Sequence, residues 1–179
     1  GSGGDASIKQ KLRAVLSCGK PAVIDADGLN NLDNELKKLL SLRHVLTPHP
    51  GEMARLTGKS IEDVLRDPAG FAENTAKAFG CIVLLKGAVS VAAHPDGRLR
   101  YNASGNPGLA KGGSGDVLTG IITALLAQGL EPFDAASAGA YILGSSAESA
   151  LELLHERALT AGDVLDAIEK TAGITEHRN

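Results

Sequence analysis

Short apolar runs alternate with longer amphipathic stretches along most of the chain. Apolar runs that stop at turn signals are typical of buried parallel strands. Three of them occur, at 21–25, 43–47 and 81–86. Two further strands, 89–93 and 98–101, flank Pro95-Asp96-Gly97, whose residues favour a tight turn. We therefore expect this last pair to form an antiparallel hairpin beside the parallel strands.

The amphipathic stretches between the strands predict helices. They cover about 7–16, 34–40, 60–66 and 69–79. A long helix follows a glycine-rich loop near residue 114, and an alanine-rich helix follows Pro132. At the last helix Thr160-Ala-Gly-Asp163 resembles a capping box, and Asp5 or Ser7 caps the first helix. Strands that alternate with helices predict one α/β domain, with three α/β/α layers around a mostly parallel sheet.

Composition and charge remove several classes of function. With 179 residues, 43% hydrophobic and 22% charged, the chain has the make-up of one globular domain. No apolar run approaches the roughly 20 residues that span a bilayer, so we expect no membrane partner. The net charge of −3 without a basic stripe argues against nucleic acid. Cys18 and Cys81 do not have the spacing of metal ligands. We expect both to be free thiols, which indicates a reducing compartment such as the cytoplasm.

The glycine-rich segment before the long helix is the strongest chemical signal. Gly112, Gly113 and Gly115 let the backbone turn tightly and approach a ligand where a Cβ would not fit. Unpaired N–H groups at the following helix start bind an anion such as phosphate. Asp116 in the first turn can accept a proton from a hydroxyl that attacks phosphorus. The segment predicts a phosphate site with Asp116 as the base.

A plainer interpretation is that the glycines form only a loop and Asp116 only begins a helix. The segment is not a Walker loop, because Lys111 precedes the glycines and no Gly-Lys-Ser/Thr follows them. On these residues alone both interpretations stay open.

Several segments together resemble the NAD(P)H-hydrate dehydratase family of the ribokinase-like superfamily. They are Val23–Asn30, Leu46–Met53, Leu85–Ala88 and Asn102–Gly120, in the family's order and spacing. The resemblance implies a ribokinase-like fold and an enzyme that uses ADP or ATP, with Mg²⁺, to dehydrate the damaged, hydrated forms of NADH and NADPH. By this resemblance the nucleotide phosphorylates the hydrate's hydroxyl, and phosphate then leaves.

The resemblance also implies roles for individual residues. Those expected to contact the nucleotide are Lys86, Gly87, Ala88, Val89, Ser90, Gly113, Ser114 and Gly115. Those expected to contact the hydrate are His49, Asn106 and Asp116, with Asn30 and Asn102 as further polar candidates. Glu52 is expected to help hold Mg²⁺. Plainer roles remain for His49 as an exposed turn residue, Glu52 as a helix-start residue, Asn106 as a turn residue and Asn30 as a helix cap.

Asp25 and Asp27 form a close acidic pair after the first strand. Paired carboxylates suggest acid–base or metal chemistry, but we expect Asp27 mainly to cap or order the loop.

The chain departs from the family at its start. Family members carry further strands and substrate-site residues before a glycine-rich turn, and Gly1-Ser-Gly-Gly4 is either the remains of that turn or a cloning remnant. We therefore expect an N-terminally truncated single domain over 1–179, with a complete nucleotide half and an incomplete hydrate site, and we expect a homo-oligomer. Two other functions stay open: a ribokinase-like small-molecule kinase, and a nucleotide-binding module without activity.

Overall fold

The computed structural model describes residues 6–110, 112–151 and 159–171. Within those ranges the strands are β1 (Ala22–Ile24), β2 (His44–Leu46), β3 (Ile82–Leu85), β4 (Ser90–Ala93) and β5 (Leu99–Asn102). The helices are α1 (Ala6–Ser17), α2 (Asp27–Asn30), α3 (Asn34–Lys37), α4 (Pro50–Thr57), α5 (Ile61–Arg66), α6 (Pro68–Phe79), α7 (Ser114–Ala127), α8 (Pro132–Ala150) and α9 (Ala161–Thr171). A short 3-10 helix, η1 (Pro107–Leu109), precedes α7.

The strands form one sheet in the order β1-β2-β3-β4-β5. β1, β2 and β3 pair in parallel, while β4 runs antiparallel to both β3 and β5. Four of the five strands therefore point the same way, and the predicted mostly parallel sheet with a terminal hairpin is confirmed. The turn of the hairpin contains Gly97, whose φ of 97° lies in the left-handed region that glycine adopts without strain.

Helices cover both faces of the sheet, because the strand side chains point alternately to opposite sides. Ile82 and Leu84 of β3 pack in a core with α7, α8 and α9. Val83 and Leu85 of the same strand pack in a second core with Met53 of α4 and residues of α1, α3, α5 and α6. The predicted three α/β/α layers are therefore present, and they explain why residues 81–85 are all apolar.

Some helix predictions need correction. α2 was not expected, α4 was anticipated only through Glu52 as a helix-start residue, and the helix expected over 34–40 ends at Lys37. Ser7 lies inside α1 and does not cap it, whereas Asp5 and Lys111 lie outside the described residues. The expected capping box of α9 is confirmed, since Thr160 N–H donates to Asp163 Oδ2 at 2.8 Å and Asp163 N–H to Thr160 Oγ1 at 3.3 Å. Across the described ranges, no helix combines the length and apolarity needed to cross a membrane.

Candidate functional site

The carboxyl ends of β1, β2 and β3 meet at one edge of the sheet. Thr47 N–H donates to Ile24 O at 3.1 Å, and Lys86 N–H donates to Pro48 O at 2.8 Å. These bonds extend the sheet pairing beyond the strands and bring together Asp25, the segment before His49, and Lys86. In parallel α/β sheets this edge is the usual place for a ligand.

Asp25 and Lys86 form an ion pair at this edge. Asp25 Oδ1 lies 2.8 Å from Lys86 Nζ, and the two side chains are 13% and 23% exposed. The sequence placed Asp25 in an acidic pair with Asp27, but its partner is a lysine 61 positions away. Asp27 is exposed in the first turn of α2. The pair compensates two charges that are largely removed from water.

The first turn of α7 lies against this ion pair. Gly113 precedes the helix with φ 94°, a conformation that favours glycine, and it has no side chain to cap the helix amides. A Cβ on Gly115 would lie 3.1 Å from Asp25 Oδ2 and 3.7 Å from Lys86 Nζ. Asp116, the next residue, is exposed. The structure therefore joins the predicted glycine loop to the predicted nucleotide-contacting lysine.

His49 is the N-cap of α4, and Glu52 completes a capping box with it. His49 Nδ1 accepts from the N–H groups of Gly51, at 3.0 Å, and Glu52, at 3.3 Å. Glu52 Oε2 accepts from His49 N–H at 2.8 Å, and its other oxygen lies 3.6 Å from His49 Nε2. Because Nδ1 is an acceptor, the neutral ring carries its proton on Nε2. The His49 side chain is 51% exposed, whereas the Glu52 side chain is 6% exposed.

A cleft of about 370 Å³ opens between α2 and α4 beside this capping box. Asn30, Glu52 and Arg55 line it, together with Lys37 and three leucines. Asn30 does not cap α2; its Oδ1 accepts from Arg55 Nε at 3.1 Å. The cleft therefore carries both charged and apolar lining next to His49.

The turn from Lys86 to Ser90 joins β3 to β4. Ser90 Oγ is the acceptor for Gly87 N–H at 3.4 Å, and residues 87–89 are exposed. A smaller pocket of about 150 Å³ adjoins the turn at Ser90 and is bordered by Tyr101 and Tyr141. The predicted nucleotide stretch is therefore an accessible turn at the same sheet edge as Asp25.

The asparagines on the connection to α7 have partly structural roles. Asn106 caps η1, where its Oδ1 accepts from Gly108 N–H at 2.9 Å, but its buried Nδ2 has no hydrogen-bond partner in the described part of the chain. Asn102 donates to Ala140 O at 3.2 Å and accepts from Ser104 Oγ at 2.8 Å. Asn102 therefore ties β5 to α8, while Asn106 keeps an unsatisfied donor.

The site therefore offers a helix N-terminus and one ammonium group at one sheet edge, and the exposed residue Asp116 lies in the first turn of the same helix. Helix amides and lysine bind phosphate oxygens, and a carboxylate can take a proton. The described residues contain no cluster of three or more His, Cys, Asp or Glu side chains that could hold a metal ion.

Comparisons with known proteins agree with this geometry. The sequence model of a family described as NAD(P)H-hydrate dehydratase matches residues 1–170. The chain is 48% identical over 148 residues to the bifunctional NAD(P)H-hydrate repair enzyme of Moorella thermoacetica. That match covers 82% of this chain and 28% of the Moorella protein. It is 43% identical over 153 residues to the ADP-dependent (S)-NAD(P)H-hydrate dehydratase of Neisseria meningitidis, covering 83% of this chain and 52% of that protein.

Solved structures give the same picture of the fold. The ADP/ATP-dependent NAD(P)H-hydrate dehydratase of Bacillus subtilis, co-crystallised with ATP and Mg²⁺, superposes with a TM-score of 0.84 at 30% identity, covering 96% of this chain and 61% of that one. A ribokinase-like superfamily protein of Enterococcus faecalis matches with a TM-score of 0.74 at 26% identity, covering 94% of this chain and 59% of that one. The predicted ribokinase-like fold is confirmed. The chain spans about half or less of the two curated relatives.

Proposed function

Because the chain belongs to the NAD(P)H-hydrate dehydratase family, we propose that it dehydrates hydrated NADH and NADPH at the expense of ADP or ATP. One observation carries the proposal: the first turn of α7 meets the Asp25–Lys86 pair at the carboxyl ends of the strands. Helix amides and an ammonium group at one point are suited to the charge of a transferring phosphoryl group. The exposed carboxylate of Asp116 follows directly in the chain.

In the proposed reaction, Asp116 accepts the proton of the hydrate's hydroxyl as that oxygen attacks the terminal phosphorus of the nucleotide. The bond from phosphorus to the nucleotide breaks, so ATP becomes ADP, or ADP becomes AMP. The carbon–oxygen bond of the phosphoester then breaks, phosphate leaves, and loss of a neighbouring proton restores the double bond. The chemistry requires an accessible carboxylate, and Asp116 is exposed.

We assign nucleotide binding to two segments. The turn Lys86, Gly87, Ala88, Val89 and Ser90 is accessible, and the amides of Gly113, Ser114 and Gly115 belong to the loop and first turn of α7. The close approach of Gly115 to Lys86 supports a single phosphate position between the two segments.

We assign hydrate binding to His49, Asn106 and Asp116. The His49 side chain is about half exposed, and its Nε2–H, which lies near the Glu52 carboxylate, is the group that we assign to a carbonyl or hydroxyl oxygen of the substrate. The buried Nδ2 of Asn106 is a second donor for the substrate, because a buried amide group without a hydrogen-bond partner is unfavourable.

Mg²⁺ fits this arrangement if Glu52 and the nucleotide phosphates share it. Magnesium is bound by one or two carboxylates together with phosphates and water, so a single protein carboxylate suffices. Bound Mg²⁺ neutralises charge on the phosphates. In the structure both Glu52 oxygens contact His49, which holds the carboxylate at the start of α4.

We further infer that the protein acts as a homo-oligomer in the cytoplasm. Tyr101 and Tyr141 border one pocket and are 62% and 57% exposed, which supports a contact with a second copy. Cys18 and Cys81 are both free, which suits a reducing compartment. Light scattering measures the oligomeric state directly, and a monomer at micromolar concentration contradicts this inference.

The dehydratase proposal is tested by incubating the protein with hydrated NADH, Mg²⁺ and either ADP or ATP. Recovery of NADH absorbance, with one nucleotide phosphoryl group consumed per NADH, is the expected result. Phosphorylation of a different alcohol without NADH recovery identifies a small-molecule kinase. Nucleotide binding without any turnover identifies a binding module, and either result refutes the proposal for this chain.

A further inference from the structure

Asp25 and Lys86 meet across two strand ends, although the sequence separates them by 61 positions. The 2.8 Å contact joins Asp25 Oδ1 to Lys86 Nζ, and each side chain keeps less than a quarter of its surface exposed. A lysine side chain has four rotatable bonds and therefore a large rotamer entropy, so an ammonium group without a partner samples many positions. The carboxylate of Asp25 restricts Lys86 to one of them.

The backbone beside Asp25 is held in a conformation that alanine rarely adopts. Ala26 has φ 47° and ψ −117°, and among the residues that the structure describes it is the one non-glycine with positive φ. Gly28 N–H donates to Asp25 O at 2.9 Å and closes a four-residue turn. These angles match the second position of a type II′ turn, where glycine is favoured. Such strain persists where the surroundings fix it, and it concentrates at functional sites.

Gly115 lets α7, which packs on one face of the sheet, come close to the same ion pair. A Cβ at this position would lie 3.1 Å from Asp25 Oδ2, closer than an ordinary contact. Asp25 Oδ1 accepts a hydrogen bond from the Lys86 ammonium, and Asp25 Oδ2 lies close to the space that a Cβ on Gly115 would occupy. The carboxylate fixes where the ammonium stands relative to the helix N-terminus.

We propose that Asp25 is a positioning residue, which holds the Lys86 ammonium beside the first turn of α7 so that both contact one phosphate of the nucleotide. This inference rests on the proposed function. An ammonium group has three hydrogens, so one bond to Asp25 leaves two for ligand oxygens. Without Asp25 the ligand itself must immobilise the lysine chain, and that ordering weakens binding.

The test is a double-mutant cycle on ADP affinity, measured by calorimetry with the full chain and Mg²⁺. Asp25→Asn should weaken ADP binding roughly tenfold, which corresponds to about 1.4 kcal/mol. In a Lys86→Met background the same change should alter affinity less than about twofold, because the residue it positions is gone. Asp27→Asn is the matched control: it removes one charge from the same loop and should leave the affinity unchanged.

The results separate this inference from the proposed function. Coupled losses at residues 25 and 86 support the positioning role even if no NADH is recovered, in which case only the dehydratase assignment fails. The positioning role is overturned if Asp25→Asn has the same effect on ADP affinity in both backgrounds, or if it tightens ADP binding. The dehydratase proposal then still stands if the unmodified chain recovers NADH. If melting shows Asp25→Asn to be unfolded, Asp25→Glu replaces it, since a longer side chain displaces the ammonium; unchanged affinity then overturns the proposal.

Discussion

Replacing Gly115 by alanine separates the ligand site from the stability of the fold. The added Cβ would lie 3.1 Å from Asp25 Oδ2, about 0.3 Å closer than ordinary contact begins at 3.4 Å, and 3.7 Å from Lys86 Nζ. The carboxylate must therefore move, and the ammonium that it holds moves with it. Alanine also favours a helix over glycine by up to about 1 kcal/mol, so the folded state loses little or gains.

We expect Gly115→Ala to weaken ADP binding by roughly fivefold, or about 1 kcal/mol, the scale of one displaced hydrogen-bonded contact. Its free energy of unfolding should stay within about 1 kcal/mol of the unmodified protein. Calorimetric titration with ADP and urea unfolding measure the two quantities on the same samples.

Gly120→Ala is the matched control, because Gly120 is exposed on the same helix with no atom within 4 Å of an added Cβ. This variant should gain roughly 0.8–1 kcal/mol of stability from helix propensity and keep its ADP affinity. If both variants bind ADP as the unmodified chain does, the first turn of α7 does not form the phosphate site, and the reasoning is refuted.

Three further predictions concern the proposed base, pH and packing. Asp116→Asn should abolish NADH recovery and leave the ADP dissociation constant within about threefold, because it removes the base with little change in volume; a near-normal rate contradicts the role. Burial, with the charge of Arg43, lowers the pKa of His44 below its usual value near 6.5, so the unfolded chain binds the proton first. The contribution of His44 to the free energy of unfolding should therefore be constant above about pH 6.5 and fall as the pH drops below that value. His44→Asn should remove this difference between urea unfolding at pH 7.5 and at pH 5.5. Gly144→Ala should destabilise by about 1–3 kcal/mol in the same assay, because its Cβ would lie 2.6 Å from the backbone carbonyl of Ser104; an unchanged midpoint disproves the tight packing of α8.

Local patterns in the sequence predict much of this fold. The apolar run 81–86 predicts a strand buried on both faces, and the hairpin around Pro95-Asp96-Gly97 follows from turn residues alone. The capping box at Thr160 and Asp163 is also readable, since its residues lie three positions apart. All of these signals arise from neighbouring residues, whose physical effects do not depend on the rest of the chain.

The missed elements have physical reasons. The bounds of α4 were not predicted, because its N-cap is a histidine, whereas Ser, Thr, Asp and Asn are the usual residues at that position. Pro50 in fact suits the first helical position, where its missing N–H is not needed. α2 has only four residues, too few for a periodic pattern.

Part of the candidate site, the contact between Asp25 and Lys86, depends on tertiary structure that no local sequence pattern shows. The glycine loop and Asp116 could be found from composition and helix position, and the structure places them at a helix start. The partnership of Asp25 with Lys86 arises from strand order, because β1 and β3 flank β2 and end at one edge. Residues 61 positions apart carry no periodic signal of that meeting, so the pattern suggested Asp27 as the partner of Asp25 instead.

The capping histidine of α4 has a consequence for substitutions at that position. His49 caps the start of α4 and its side chain is 51% exposed, so the proposed substrate contact would be a second role of the same ring. Replacement of His49 by Ser or Asn would preserve an N-cap acceptor for the helix yet remove the ring. If the ring binds the hydrate as proposed, a substitution at this position would affect both the folding of α4 and the binding of substrate.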